Sequence, residues 1–180
     1  MNCFLRLWAT STSAPVNAKK KDAKSGLRHN RLLKAVLDEF YSRLAPEWRV
    51  LWVSEEDEPA LPARDELQRL SVSLLRPRNL PTVVVEDEEQ GRLALIDVAD
   101  LRGLMTEKRR DALKKMFGGC SADLIFVNAF WSRREFQASL TELPWGTVIW
   151  FLNEPNHWVY FNGKCLFGPT TGRDDRHACH

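Results

Sequence analysis

In the run "LPTVVVEDEEQGRLALIDVA" at residues 80–99 one carboxylate, Asp97, stands inside the apolar stretch that follows the acidic turn. Aliphatic and β-branched stretches flank an acidic turn closed by Gly91, which is the pattern of a two-stranded hairpin. With the turn centred between Glu89 and Gln90, position 82 faces position 97, and position 82 is Thr. Two carboxylates at such cross-strand positions, with Cβ atoms ~5 Å apart, can share a divalent cation. Thr82 is a neutral hydroxyl, so this facing pair carries one acid where metal chemistry needs more than one. A lone strand Asp is also satisfied by a neighbouring hydroxyl, here Thr82, or by a cation. A basic run follows: Arg102, then Lys108, Arg109, Arg110, Lys114 and Lys115 on one short helix. Such a run can contact phosphates, whose ionic pairing dominates nucleic-acid affinity, and it is also the ordinary composition of a solvated helix face.

The elements that must position these groups are readable from periodicity. "RLLKAVLDEFYSRL" at 31–44 spaces its apolar residues as an amphipathic helix, with Asn30 as N-cap and Pro46 beyond the end. "WRVLWV" at 48–53 reads as a strand running into the acidic loop "SEEDEP", and "ARDELQRLSVSLL" at 63–75 as a second helix. After the hairpin, Thr106 caps a helix that stops at Gly118-Gly119 and leads into the buried-looking strand "ADLIFVNAF". Ser132 with Glu135 three residues on is a capping-box pattern and starts another helix. Three short strands close the chain: "WGTVIWFL", "HWVYF" and "KCLFG", the last two joined by Asn162-Gly163 as a type I′ turn. Trp145, Trp150 and Trp158 alternate with apolar residues and read as sheet packing. The order predicts an α/β (mixed α+β) fold, one mixed sheet with helices packed on it.

Composition bounds the rest. The chain has 180 residues, 44% hydrophobic, and a formal net charge of +2, so one domain can bury its own core and bulk charge does not argue for nucleic acid. Cys3, Cys120, Cys165 and Cys179 are scattered without CxxC or CxxH spacing, which fits neither a zinc ribbon nor a disulfide framework and suits a reduced, cytoplasmic setting. No apolar stretch approaches the ~18 residues of a membrane span. The terminal "RHACH" gathers His177, Cys179 and His180, able to hold a transition metal but read as a frayed tail. The organisation expected is a flexible basic arm over 1–29 containing "KKKDAK", a domain over 30–170, and a flexible tail over 171–180.

Within that domain, "LALIDVADLRGLMTEKR" at 93–109 resembles the BsuBI/PstI-like type II restriction endonucleases. The family pattern is a buried strand ending in Ile-Glu-Ala-Val, then Ser-His-Gly-Pro-Val, then Lys-Arg, and Leu93, Ile96, Gly103, Lys108 and Arg109 match it. "FVNAFWSRREF" and "PWGTVIWFLNEPNHWVYFNGKCLFGP" resemble later motifs of the same family in the same order, including His157. The resemblance runs from about residue 30 to about 170 and implies a PD-(D/E)XK nuclease core, in which hairpin acids bind Mg²⁺ and water attacks a DNA phosphodiester.

Carried over by position, the resemblance gives Asp97 as catalytic residue and metal ligand, Glu55 as second ligand, and Lys108 and Arg109 as catalytic or phosphate-contacting. Arg102 and Arg110 from the basic run join those two as DNA-contacting residues, while Lys114 and Lys115 are read as a solvated helix face. The same alignment puts Thr82 where the family has Asp, Asp97 where it has Glu, Arg102 where it has His, and Gly146 and Val148 where it has Glu. Two functions follow as expectations: Mg²⁺-dependent hydrolysis of double-stranded DNA in a restriction-modification or DNA-defence setting, or a degenerate DNA-binding or scaffold subunit. A truncated remnant is the third. A homodimer, or a partner subunit supplying sequence recognition, is implied with either of the first two, and an acid introduced at position 82 is expected to raise metal affinity.

Overall fold

The computed structural model describes residues 30–40, 48–54, 61–70 (side chains from 65), 72, 79–99 and 103–161. One six-stranded sheet organises them, in the order β1 (Arg49–Val53), β2 (Val83–Asp87), β3 (Arg92–Val98), β4 (Asp123–Phe130), β5 (Thr147–Phe151), β6 (Trp158–Phe161). β1, β2 and β3 form an antiparallel meander, β3, β4 and β5 are parallel, and β6 returns antiparallel. The mixed sheet is therefore as expected. Its parallel part requires crossovers, and these are α3 (Glu107–Met116) between β3 and β4 and α4 (Arg133–Ser139) between β4 and β5.

Both faces are covered. On one, residues 30–40 form α1, whose final turn Val36–Phe40 is a π-helix, and Leu32, Leu33, Val36 and Phe40 pack on Val83, Val85, Ala94, Ile96, Val127, Ala129 and Trp150. On the other, α2 (Leu61–Arg69) and α3 set Leu67, Leu113 and Phe117 against Val84, Leu93, Leu95 and Phe126. With both faces buried, β2 and β3 are near-continuous apolar runs rather than alternating ones. β1 carries a bulge between Val50 and Trp52. The inserted residue puts Leu51 and Trp52 on the same face, where both are buried, whereas strict alternation would have split them.

Local details depart from the sequence reading in places. α2 begins two residues earlier and ends by Arg69, where helix was expected to Leu75. Ser132 precedes α4 in extended conformation, yet its hydroxyl makes no cap bond, so the hydroxyl half of the expected capping box is not formed; Ser132 contributes its carbonyl, which accepts from the amides of Glu135 and Phe136. Thr106 does cap α3, its hydroxyl accepting from the Arg109 amide. Trp150 is fully buried and Trp158 packs beside it against Phe40, but Trp145 lies ahead of β5 and is 62% exposed, stacked on Phe161 at 4.3 Å. The arm over 1–29, the strand "KCLFG", the Asn162-Gly163 turn and the terminal His/Cys group lie outside the described residues. Among the described residues, no helix is long and apolar enough to cross a membrane.

Candidate functional site

The turn sets the register. Asp87 pairs with Arg92 across a four-residue loop, Gly91 supplies the φ of +62° that loop needs, and Gln90 donates its amide to the Asp87 carboxylate at 3.1 Å. Counting back through Val83↔Ile96 places Thr82 opposite Asp97, as the sequence spacing requires. The two residues are bonded crosswise: the Thr82 amide donates to Asp97 Oδ1 at 3.1 Å, and Thr82 Oγ1 accepts from the Val98 amide at 3.3 Å. The threonine thus extends the strand ladder by one side-chain bond.

Neighbouring elements hold this end of β2. Trp52, turned by the bulge, donates its indole Nε1 to the Pro81 carbonyl at 2.9 Å, and the Ser54 amide donates to the Thr82 carbonyl at 2.7 Å. On the other side β4 presents Asn128, in register with Asp97 and fully buried. Its Oδ1 accepts from the Met105 amide at 2.9 Å, one residue before the α3 cap. Asn128 therefore fixes where α3 begins. Gly103, just before that position, has a φ of +92°, a backbone conformation costly for other residues.

α3 then delivers Arg109 onto Asp97. Arg109 Nε donates to Asp97 Oδ2 at 2.9 Å and Nη2 to Oδ1 at 3.3 Å, while Nη1 and Nη2 reach the carbonyls of Asn79 and Leu80 at 2.9 and 2.8 Å. The carboxylate is buried and the guanidinium partly so, with side-chain exposures of 6% for Asp97 and 27% for Arg109. Both carboxylate oxygens are engaged, and the guanidinium joins four segments: β3, α3, the strand lead at 79–80 and, through Asp97, Thr82. The cation that a lone strand Asp calls for is Arg109.

The other expected residues distribute around this pair. Lys108 is exposed at the start of α3, as are Lys114 and Lys115 near its end. Arg110 is turned inward: Nη1 donates to the Trp145 carbonyl and Nη2 approaches Asp111 and Glu107 at 3.3 and 3.6 Å, fastening α3 to the lead of β5. Val148 pairs with Val127 on the α1 face, opposite to the face of Asp97, and Gly146 is exposed at φ +76°. His157 is exposed. Glu55 and Arg102 lie outside the described residues. A cleft of about 430 Å³ opens beside the end of β3, lined by Ala99, Gly103, Leu104, Phe130 and Glu135.

Mg²⁺ wants near-octahedral oxygen at ~2.1 Å, with one or two carboxylates free to face it. Asp97 gives one carboxylate, already bonded at both oxygens, and Thr82 Oγ1 is committed to the Val98 amide. Among the described residues no group of three or more His, Cys, Asp or Glu comes together. The described residues do not fit that ion.

A second charged cluster was not foreseen. Glu86, 7% exposed, accepts from Arg49 at 2.8 Å and from Arg69 at 2.8 and 2.9 Å, and Glu66 bridges both arginines at 3.0 Å. The Arg69 hydrogen bond, then Arg49, holds the Glu66 carboxyl below its usual value of 4.5. Arg49 and Arg69 are raised, in each case chiefly by the bond to Glu86. With two cations on two carboxylates, the cluster is a strap between β1, β2 and α2.

Comparison with known proteins matches this architecture. The model of the BsuBI/PstI restriction endonuclease domain matches residues 14–164. The type II restriction enzyme BsuBI of Bacillus subtilis is 32% identical over 142 residues, covering 78% of this chain and 45% of that protein. The type II restriction enzyme AplI of Arthrospira platensis is 28% identical over 140 residues, 73% of this chain and 43% of that protein. The solved SdaI restriction endonuclease superposes with a TM-score of 0.68 at 29% identity, over 79% of this chain and 46% of that one. The chain spans less than half the length of the curated relatives it matches. A match over most of its residues, on a mixed sheet shared with SdaI, places it: the chain belongs to the BsuBI/PstI restriction endonuclease family.

Proposed function

We propose that this chain is a double-stranded-DNA-binding member of its family that does not itself hydrolyse the DNA backbone. The observation that carries the reading is the Asp97–Arg109 pair, which spends the one acid of the 82/97 facing pair on an internal cation, with Thr82 at the other position. The names of its relatives, type II restriction enzymes, support DNA as the ligand. Exposed Lys108, Lys114 and Lys115 on α3 supply phosphate contacts, and the network fixing α3 to the sheet holds them in one orientation. Sequence recognition and strand cutting then fall to a partner subunit or a second copy of the chain, in a cytoplasmic restriction-modification or DNA-defence setting.

The test combines duplex binding by fluorescence anisotropy with plasmid nicking in Mg²⁺ and Mn²⁺. Expected are salt-sensitive binding in EDTA and no nicking. Each phosphate contact contributes a slope of about −0.9 in log K against log salt, so Lys108→Ala lowers the slope by about one unit. A second reading, Mg²⁺-dependent hydrolysis with Asp97 and Glu55 as ligands, has one observation in its favour: Ser54, bonded to Thr82, immediately precedes Glu55. Nicking that disappears in Asp97→Ala decides for it and against the proposal.

A further inference from the structure

Arg109 covers both oxygens of the Asp97 carboxylate, Nε on Oδ2 and Nη2 on Oδ1, and the charges explain why one arginine suffices. Acids at both 82 and 97 would put two negative charges on the facing pair, which suits a divalent ion. With Thr82 the pair carries one, which a single guanidinium balances. The guanidinium is also held from outside the pair. Nη1 and Nη2 donate to the Asn79 and Leu80 carbonyls, and the α3 backbone is fixed through Thr106, Met105 and Asn128. Displacing it would leave a charged fork without its acceptors in a site where Asp97 is 6% exposed.

We propose that Arg109 is the resident cation of this hairpin, so that the chain excludes divalent metal from Asp97 by its own side chain rather than only by lacking a second acid. The proposal rests on the same ion pair as the functional reading, but not on DNA binding. Arg109 is here a positioning residue that gates access to the carboxylate. An immediate consequence concerns an acid at position 82. Thr82→Asp alone gives Arg109 a second carboxylate, and the gain in metal affinity expected from the sequence is withheld until the arginine is also removed.

The experiment is Mn²⁺ titration followed by thermal unfolding and by the electron paramagnetic resonance of free Mn²⁺, with no DNA present. Wild type and Thr82→Asp are expected to show no saturable site and no shift in Tm. Arg109→Gln, which keeps a neutral donor on a shorter stem, is expected to gain a site, and Thr82→Asp with Arg109→Gln a tighter one. At ten times Kd the Tm should rise by roughly 3–6 °C. Adding Asp97→Asn to Arg109→Gln should abolish that gain. Should Arg109→Gln be unfolded without metal, recovery of its circular dichroism by Mn²⁺ supports the proposal, and failure to recover overturns it. Saturable binding by wild type, or equal affinity in Thr82→Asp with and without Arg109, also overturns it. DNA affinity measured in EDTA reports on the functional reading separately, so each idea can fail without the other.

Discussion

Truncation of Asp97 to Ala is expected to destabilise the fold by about 3 kcal/mol, at the low end of the ~3–5 kcal/mol that follows removal of one partner from a buried ion pair. The low end is chosen from the geometry. Arg109 is 27% exposed and keeps the Asn79 and Leu80 carbonyls, so water and backbone take up part of the stranded charge. The loss still includes the Thr82 amide, whose bond to Oδ1 at 3.1 Å has no replacement. In a chain of this size about 3 kcal/mol lowers Tm by roughly 6–12 °C. Arg109→Met is expected to cost more, because the carboxylate it strands is only 6% exposed. The two changes combined should cost well under their sum, with a coupling of at least ~2 kcal/mol. The control is Asp38→Ala: its pair with Lys34 spans 3.9 Å at exposures of 67% and 47%, and such pairs are worth ~0–0.5 kcal/mol. Urea denaturation in EDTA measures all four. Single losses below ~1 kcal/mol, or additivity within ~0.5 kcal/mol, refute the assignment of the pair as a structural lock.

Two further outcomes follow from the surrounding contacts. Asn128→Ala removes the acceptor of the buried Met105 amide and should cost ~1–3 kcal/mol, with hydrogen exchange at Met105 accelerated; unchanged protection would show that α3 is set by its apolar face alone. Glu66, depressed below 4.5 by Arg69 and Arg49, contributes stability that is present above the unfolded carboxylate value and is lost as pH falls through its lower folded value. Glu66→Gln should therefore flatten the acid limb of stability below about pH 4.5, a modest effect because the side chain is 34% exposed. An unaltered limb in urea midpoints taken at pH 5 and pH 3 would remove Glu66 from the account.

The hairpin was legible because its information is local. A four-residue turn and strict period-2 geometry leave one register, so Thr82 opposite Asp97 could be counted from the sequence. The caps show the limits of the same method. Thr106 and Ser132 have equal credentials as N-caps, but only the Thr106 hydroxyl bonds its helix. Trp145 follows the pattern of Trp150, yet it falls two residues before β5 and faces outward. The bulge in β1 has no sequence signature at all; it is imposed by the need to bury both Leu51 and Trp52 on the α2 and α3 face.

What decides the chemistry of Asp97 is less local still. The residue type allows a metal ligand or half of an ion pair, and its place in a buried strand does not choose between them. The choice is made by α3, which must start within reach of Asn128 on β4, a strand that follows it in sequence. Once Met105 is bonded there, Thr106 caps the helix and Arg109 lies one turn on, on the side facing β3. Had α3 begun one residue later, the helix would have turned by about 100° and offered another side chain to the carboxylate. The Lys108-Arg109 step marks residues of two fates for the same reason, one exposed to solvent and one closed over the acid. The pairing of Asp97 with Arg109 thus depends on a helix phase, and the buried amide bond at Met105 is one of the contacts that hold that phase.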